Sequence, residues 1–327
     1  MASTMAAPSS DPLGILQILW RALQLPAMAG GLILPLLLLT LLASSLLFLS
    51  AYNISPVVLD LVAKLYPLFK NPRSPEPPNV ITEIGKDLRD IARLTSLVAS
   101  LFFFASLLLM VATVYTFAMA YSARSLSPRQ LLLRVARRWY QTLVTRLYVV
   151  LLTLGLALLS LIVVGAVMLA SDEPNAADGC GVGLSAAAVL LYLYLSTRWA
   201  MSLVITTVEE TWGIGALSWS VELFIGNKKR GTLLTLILKA VQLAIYVTFA
   251  AAMVAPGTAT PSPDPPAPPA PEEQMKLWLI VAAATALWEM YSMAVYTVFY
   301  YECRKSHGLD WGHTNYTVLP DAAAVKV

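Results

Sequence analysis

Charge is scarce in this sequence: Asp, Glu, Lys and Arg make up 13% of its 327 residues, against 58% hydrophobic residues. Soluble domains carry about 25% charged residues, so the shortage excludes an ordinary soluble domain and indicates an all-α integral membrane protein. Histidine is nearly absent, and its two copies, His307 and His313, both lie beyond the last apolar run. There is no His-Glu-x-x-His pair, no Gly-x-Ser-x-Gly elbow, no phosphate-binding loop and no dinucleotide fingerprint. Metal-ligand clusters are missing too. The expectation is a non-enzymatic chain with no catalytic residue, no metal and no cofactor. Two cysteines, Cys180 and Cys303, are too few for a disulfide framework. The net charge is only +3 and the basic residues are dispersed, which does not suit direct nucleic-acid binding. The opening residues lack the basic segment and apolar core of a cleaved signal.

Long apolar runs are what the chain has in quantity. They predict six transmembrane helices at about 30–51, 94–121, 147–170, 183–207, 232–254 and 276–301. The membrane domain is then 30–301, between an N-terminal segment, 1–29, and a tail, 302–327. Short interfacial amphipathic helices accompany the spans. Leu13–Gln24, with Leu13, Leu16, Leu19, Trp20 and Leu23 on one face, reads as an interfacial lead-in. Ile81, Ile84, Leu88 and Ile91 recur at helical spacing directly before the second span. Ser127-Pro128 supplies an N-cap with proline at the first helical position. The helix it opens carries Arg129, Arg134, Arg137, Arg138 and Arg146 among apolar residues. Such a helix lies on an anionic leaflet, so the lipid bilayer and anionic lipid headgroups are the expected partners. Ala255–Glu273 is proline-rich and reads as an extended spacer.

Six spans put both termini on one side, where thirteen lysines and arginines collect against seven opposite. The positive-inside rule makes both termini cytoplasmic, in an endomembrane or the plasma membrane. Cys180 and Cys303 then lie on opposite sides, and Cys303 reads as buried or as a palmitoylation site. The Asn315-Tyr316-Thr317 sequon is expected to stay unmodified.

Two ionisable residues lie deep within apolar runs: Arg198 in the fourth span and Glu289 near the centre of the sixth. A charge at the centre of a span costs roughly 3 kcal/mol on insertion scales. Their depths differ by about 5 Å at 1.5 Å per residue, so the two are expected to pair. Glu209 or Glu210 would be the alternative partner of Arg198. Such a pair is either a clamp between spans or part of a substrate or proton pathway. Lys239, about two turns into the fifth span, is close enough to an end to snorkel.

Two segments carry a family likeness. The first contains Trp199, Val208, Glu209, Glu210, Gly213, Ala216, Glu222, Leu223 and Gly226. The second is Val298-Phe299-Tyr300-Tyr301-Glu302-Cys303-Arg304-Lys305-Ser306-His307. Together they resemble a plant multi-pass membrane family labelled polyadenylate-binding-protein-binding protein. A more distant likeness is to the bacterial membrane domain that accompanies some glycerophosphodiester phosphodiesterases, whose catalytic barrel is missing from this sequence. The proline-rich loop departs from the plant pattern. The resemblance implies a multi-pass membrane fold and brings no established activity. The first functional expectation is a membrane scaffold or adaptor with a cytoplasmic protein partner or a second copy of itself. The alternative is a small-molecule or lipid transporter or channel working through Arg198 and Glu289.

Overall fold

The computed structural model describes residues 14–50, 78–122, 127–170, 174–209, 211–254 and 271–308. The helices in chain order are α1 (Ile15–Met28), α2 (Gly30–Ser50, opened by a single 3-10 turn), α3 (Pro78–Tyr121) and α4 (Pro128–Ala170). They are followed by α5 (Pro174–Val208), α6 (Ile214–Phe224), α7 (Lys228–Val254) and α8 (Pro271–Ser306). Among the described residues there is no strand. Six of these helices, α2 to α5, α7 and α8, are long and apolar enough to cross a membrane. The chain is an all-α integral membrane protein.

The helices alternate in direction, and one end of the bundle is packed much more tightly than the other. The core collects the last turns of α3, α5 and α8, the first turns of α7, and α1 and α6; it includes Phe117, Ile205, Phe224, Leu234, Phe299 and Tyr300. Away from that end, Leu147, Leu151, Leu154, Leu158 and Ile162 of α4 are exposed. With no polar surface around them, these residues require lipid as their solvent. At the looser end, the Trp278 ring meets Phe48 at 5.6 Å and Phe249 at 4.8 Å, joining α8 to α2 and α7.

Two local expectations are corrected. The basic helix is not a separate interfacial element: it and the third span form one helix of 43 residues. No glycine or proline occurs between Arg129 and Leu154, so nothing breaks the helical ladder there. The opening helix is not a simple lead-in on the surface. Its Leu16, Trp20 and Leu23 face outwards, while Ile18, Ala22 and Leu25, spaced by four and three, are buried. Ala22 is fully buried, a small residue where α1 meets the bundle. The Tyr291 hydroxyl of α8 donates to the Leu19 carbonyl at 3.2 Å.

Boundaries shift outward as well. α7 starts at Lys228 and α8 runs to Ser306, so residues expected in a hairpin and a tail belong to helices. Pro271, expected in the spacer, opens α8; residues 255–270 lie outside the described residues, as do His313 and Asn315. Ser127 and Pro128 do open α4: the Ser127 N–H donates to Gln130 Oε1 at 3.3 Å. Cys303 is fully buried, in accord with the first of its two readings.

Candidate functional site

The segment between Trp199 and Gly226 leaves the bundle, turns and re-enters it. Glycine is required at the turn. Gly213 has φ +62°, a value that side-chain-bearing L residues rarely adopt, and its N–H donates to Thr145 Oγ1 of α4 at 2.8 Å. Thr145 in turn meets Thr206 Oγ1 of α5 at 3.1 Å. Ala216 is fully buried and Trp199 nearly so, while Glu222 is exposed. Gly226, at φ +92°, makes the turn into α7. Glu210 lies outside the described residues.

Glu209 is a junction of three helices. Its carboxylate accepts a short hydrogen bond from the Tyr300 hydroxyl and lies 3.5 Å from Arg304 Nη1. Its backbone carbonyl accepts from Arg138 Nη1 at 2.9 Å. The ends of α5 and α8 and the first half of α4 therefore meet at this residue. A second junction lies alongside. Glu302 is 3.5 Å from Arg21 Nη1 of α1 and accepts from the Tyr121 hydroxyl of α3 at 3.3 Å. The Tyr121 and Tyr301 rings stack at 4.8 Å, and Asn227 donates to Ser306 at 2.9 Å. The residues that carried the family likeness at the end of α8 thus form the centre of the packed end.

The basic helix divides between two environments. Arg129 and Arg137 are exposed. Arg138 is only 5% exposed, and the Arg134 guanidinium lies over the Tyr115 ring at 5.2 Å. Arg134 and Arg138 are four apart and share the inward face, so the four arginines are not one headgroup-facing row.

Arg198 and Glu289 are not brought together. The Arg198 guanidinium lies over the Tyr194 ring at 4.4 Å and the Phe224 ring at 5.7 Å, and donates to the Tyr194 hydroxyl. Its neighbour at i−4 and the Phe224 side chain of α6 supply aromatic faces, which suit a weakly hydrated guanidinium. Neither does Arg198 reach Glu209, whose carboxylate is taken by Tyr300 and Arg304.

Glu289 faces a cavity of about 310 Å³ lined by residues of all six spans. The other charged groups on its wall are Arg146 of α4 and Lys239 of α7, and they are the charges that act on Glu289. Lys239 and Glu289 are exposed and Arg146 is half-buried. The Arg146 guanidinium lies over the Phe103 ring at 4.9 Å. Thr40, Ser44, Ser106 and Ser196 add hydroxyls to the wall, while Leu109, Met110, Leu203, Met290 and Met293 are apolar. Arg146 lies about 12 Å along α4 from Arg138, at 1.5 Å per residue. The cavity is thus well inside the bundle from the Glu209 junction. Beside it, Thr197 donates to Thr235 at 2.8 Å, and Thr235 meets the Tyr296 hydroxyl at 3.2 Å.

The sequence signals for this centre were present but divided. In the sequence Arg146 falls within the basic amphipathic segment and Lys239 near the end of the fifth span. Only the continuity of α4 places Arg146 at the level of Glu289. Among the described residues, no three His, Cys, Asp or Glu side chains come close enough to hold a metal ion. The cavity offers two cations and a carboxylate on an otherwise mainly apolar wall, suited to holding a polar or charged group inside a membrane. No curated protein and no solved structure matches the chain. A family model described only as a domain of unknown function matches residues 9–311, and the chain belongs to that family, DUF8558.

Proposed function

We propose that the protein is a non-enzymatic small-molecule or lipid transporter whose working centre is the cavity bearing Arg146, Lys239 and Glu289. One observation carries the reading: three ionisable side chains from three different spans converge on one cavity and, among the described residues, close no ion pair with one another. Groups placed only to clamp helices together would be in contact, because an unneutralised charge in a span is costly. Ionisable residues facing an intramembrane cavity instead mark a path for a ligand or ion. This reading replaces Arg198 with Arg146 and Lys239 as the partners of Glu289.

The reading is tested by thiol labelling. Ser44→Cys and Ser292→Cys, each in a Cys180→Ser background, place a thiol on the cavity wall. A small, membrane-impermeant thiol reagent should modify both. Resistance of both sites in folded protein would reject a hydrated path. It would favour the scaffold reading, which rests on Trp212, Ile214 and Ile225 being exposed around α6. On that reading α6, with Lys228 and Lys229 beside it, docks a cytoplasmic partner.

The proposed orientation has the packed end in the cytoplasm, with both termini there, in an endomembrane or the plasma membrane. It rests on the excess of lysine and arginine on the connections at that end. Glycosylation mapping in microsomes should leave Asn315 unmodified and modify a sequon engineered between Pro256 and Pro271. Modification of Asn315 would reverse the orientation.

A further inference from the structure

We infer that the cavity is a binding site for a single-chain amphiphile with an anionic head, the head seated between Arg146 and Lys239. The inference rests on the cavity reading above and adds the chemistry of the ligand. Four observations carry it.

The first is charge. Two cations face one carboxylate, and the α2, α3 and α5 walls add no further acidic residue. A site in a low-dielectric layer with an excess of positive charge is completed by an anion. The second is the form of the cations. Arg146 is steadied by its cation–π contact with Phe103, which leaves a planar fork of donors suited to carboxylate or phosphate oxygens. Lys239, from the facing helix, supplies a mobile point charge.

The third is the rest of the wall. The hydroxyls of Thr40, Ser106, Ser196 and Ser292 already donate to backbone carbonyls of their own helices, so they present acceptors more than donors. The apolar part of the lining is Ala, Leu, Val, Phe and three methionines, Met110, Met290 and Met293. Methionine adapts to irregular apolar shapes, which suits a flexible chain. The fourth is size. A volume of about 310 Å³ is near the lower end of small-ligand pockets, about 300–1,000 Å³. It fits a head with one chain better than a whole two-chain phospholipid.

The test uses the full chain in phosphatidylcholine nanodiscs and measures saturable binding of oleate, oleoyl lysophosphatidate, oleyl alcohol and oleylamine. Oleate and lysophosphatidate should bind, while the alcohol and amine show only partitioning into the bilayer. Lys239→Gln and Arg146→Gln should each weaken oleate binding at least tenfold. Glu289→Gln should tighten it, because it removes a competing carboxylate. Arg137→Gln, on the exposed face of α4, should leave it unchanged and reports any simple surface attraction. Lys239 is exposed and bears little packing, so its variant keeps the test decisive should Arg146→Gln fail to fold.

Undiminished oleate binding by folded Lys239→Gln would overturn the assignment, as would equal saturable binding of oleyl alcohol. If inorganic phosphate or acetate alone occupies the site as tightly as oleate, the ligand is a small anion and the amphiphile is rejected. Thiol labelling of the cavity combined with unselective binding would overturn this inference and leave the cavity reading standing. Selective, Lys239-dependent binding without labelling would reject the hydrated path and keep the anion site.

Discussion

Arg138 Nη1 donates to the backbone carbonyl of Glu209 at 2.9 Å, so a side chain in the first half of α4 holds the residue that directly follows α5. The bond is to a main-chain atom and survives any change in the Glu209 side chain. Arg138→Met keeps the volume and loses the donor. Removing a charged hydrogen bond in a site 5% exposed should cost about 2 kcal/mol. Arg137→Met, on the exposed face, should stay within about 0.5 kcal/mol. Unfolding in mild detergent, followed by helical circular dichroism, compares the two.

The Glu209 carboxylate makes a separate prediction. Glu209→Ala removes the group that faces Tyr300 and Arg304, both buried, and should destabilise the fold by about 3 kcal/mol. Glu209→Gln retains an acceptor for the Tyr300 hydroxyl and should cost less than half as much. Equal losses for the two variants would show that charge at this junction outweighs its hydrogen bond.

Glycine at two positions should resist substitution for different reasons. Gly213→Ala asks an L residue to adopt φ +62° and should cost about 1–3 kcal/mol. At Gly231 the backbone is ordinary, but a Cβ would fall on the edge of the Phe224 ring and 2.8 Å from Phe299 Cζ. Gly231→Ala should cost a similar amount, about 1–3 kcal/mol, and a smaller side chain at the nearer ring, Phe224→Leu, should partly rescue it. No such rescue is expected for Gly213→Ala.

Independence of Arg198 and Glu289 can be measured directly. A double-mutant cycle of Arg198→Gln with Glu289→Gln should give a coupling below about 0.5 kcal/mol. The cycle of Arg146→Gln with Glu289→Gln should give coupling of order 1 kcal/mol. The reverse order would restore the Arg198–Glu289 pair.

Much of the architecture was readable from composition and periodicity alone. A run of 20 or so apolar residues has one stable form in a bilayer, a helix with its own backbone bonds satisfied, and all six runs take it. The partners of the charges were less readable, for a geometric reason. Depth along a span is a one-dimensional quantity, and Arg198 and Glu289 differ in it by only about 5 Å; which face of the helix each occupies depends on neighbouring helices. Arg198 found Tyr194 one turn away and Phe224 on the re-entering helix. In Leu13–Gln24 the more apolar stripe, Leu16, Trp20 and Leu23, is exposed, as an interfacial helix requires, and the smaller Ile18–Ala22–Leu25 face is left for protein contact. Hydrophobicity ranks faces for burial in water and loses that power in lipid. The end of α8 stands out in the sequence only by its family likeness, and its physical role as a junction for α1, α3, α4 and α5 follows from partners distant in sequence.

The continuity of α4 has a mechanical consequence. A helix of 43 residues is about 64 Å long at 1.5 Å per residue, roughly twice the thickness of the hydrocarbon layer. The Glu209 contact holds it near one end, and the exposed Leu158 and Ile162 lie towards the other. From Arg138 to Leu154 no glycine or proline interrupts the helical ladder, so Arg146 is fixed in place relative to the Glu209 contact, and Gly155 is the first point along α4 where the helix can give.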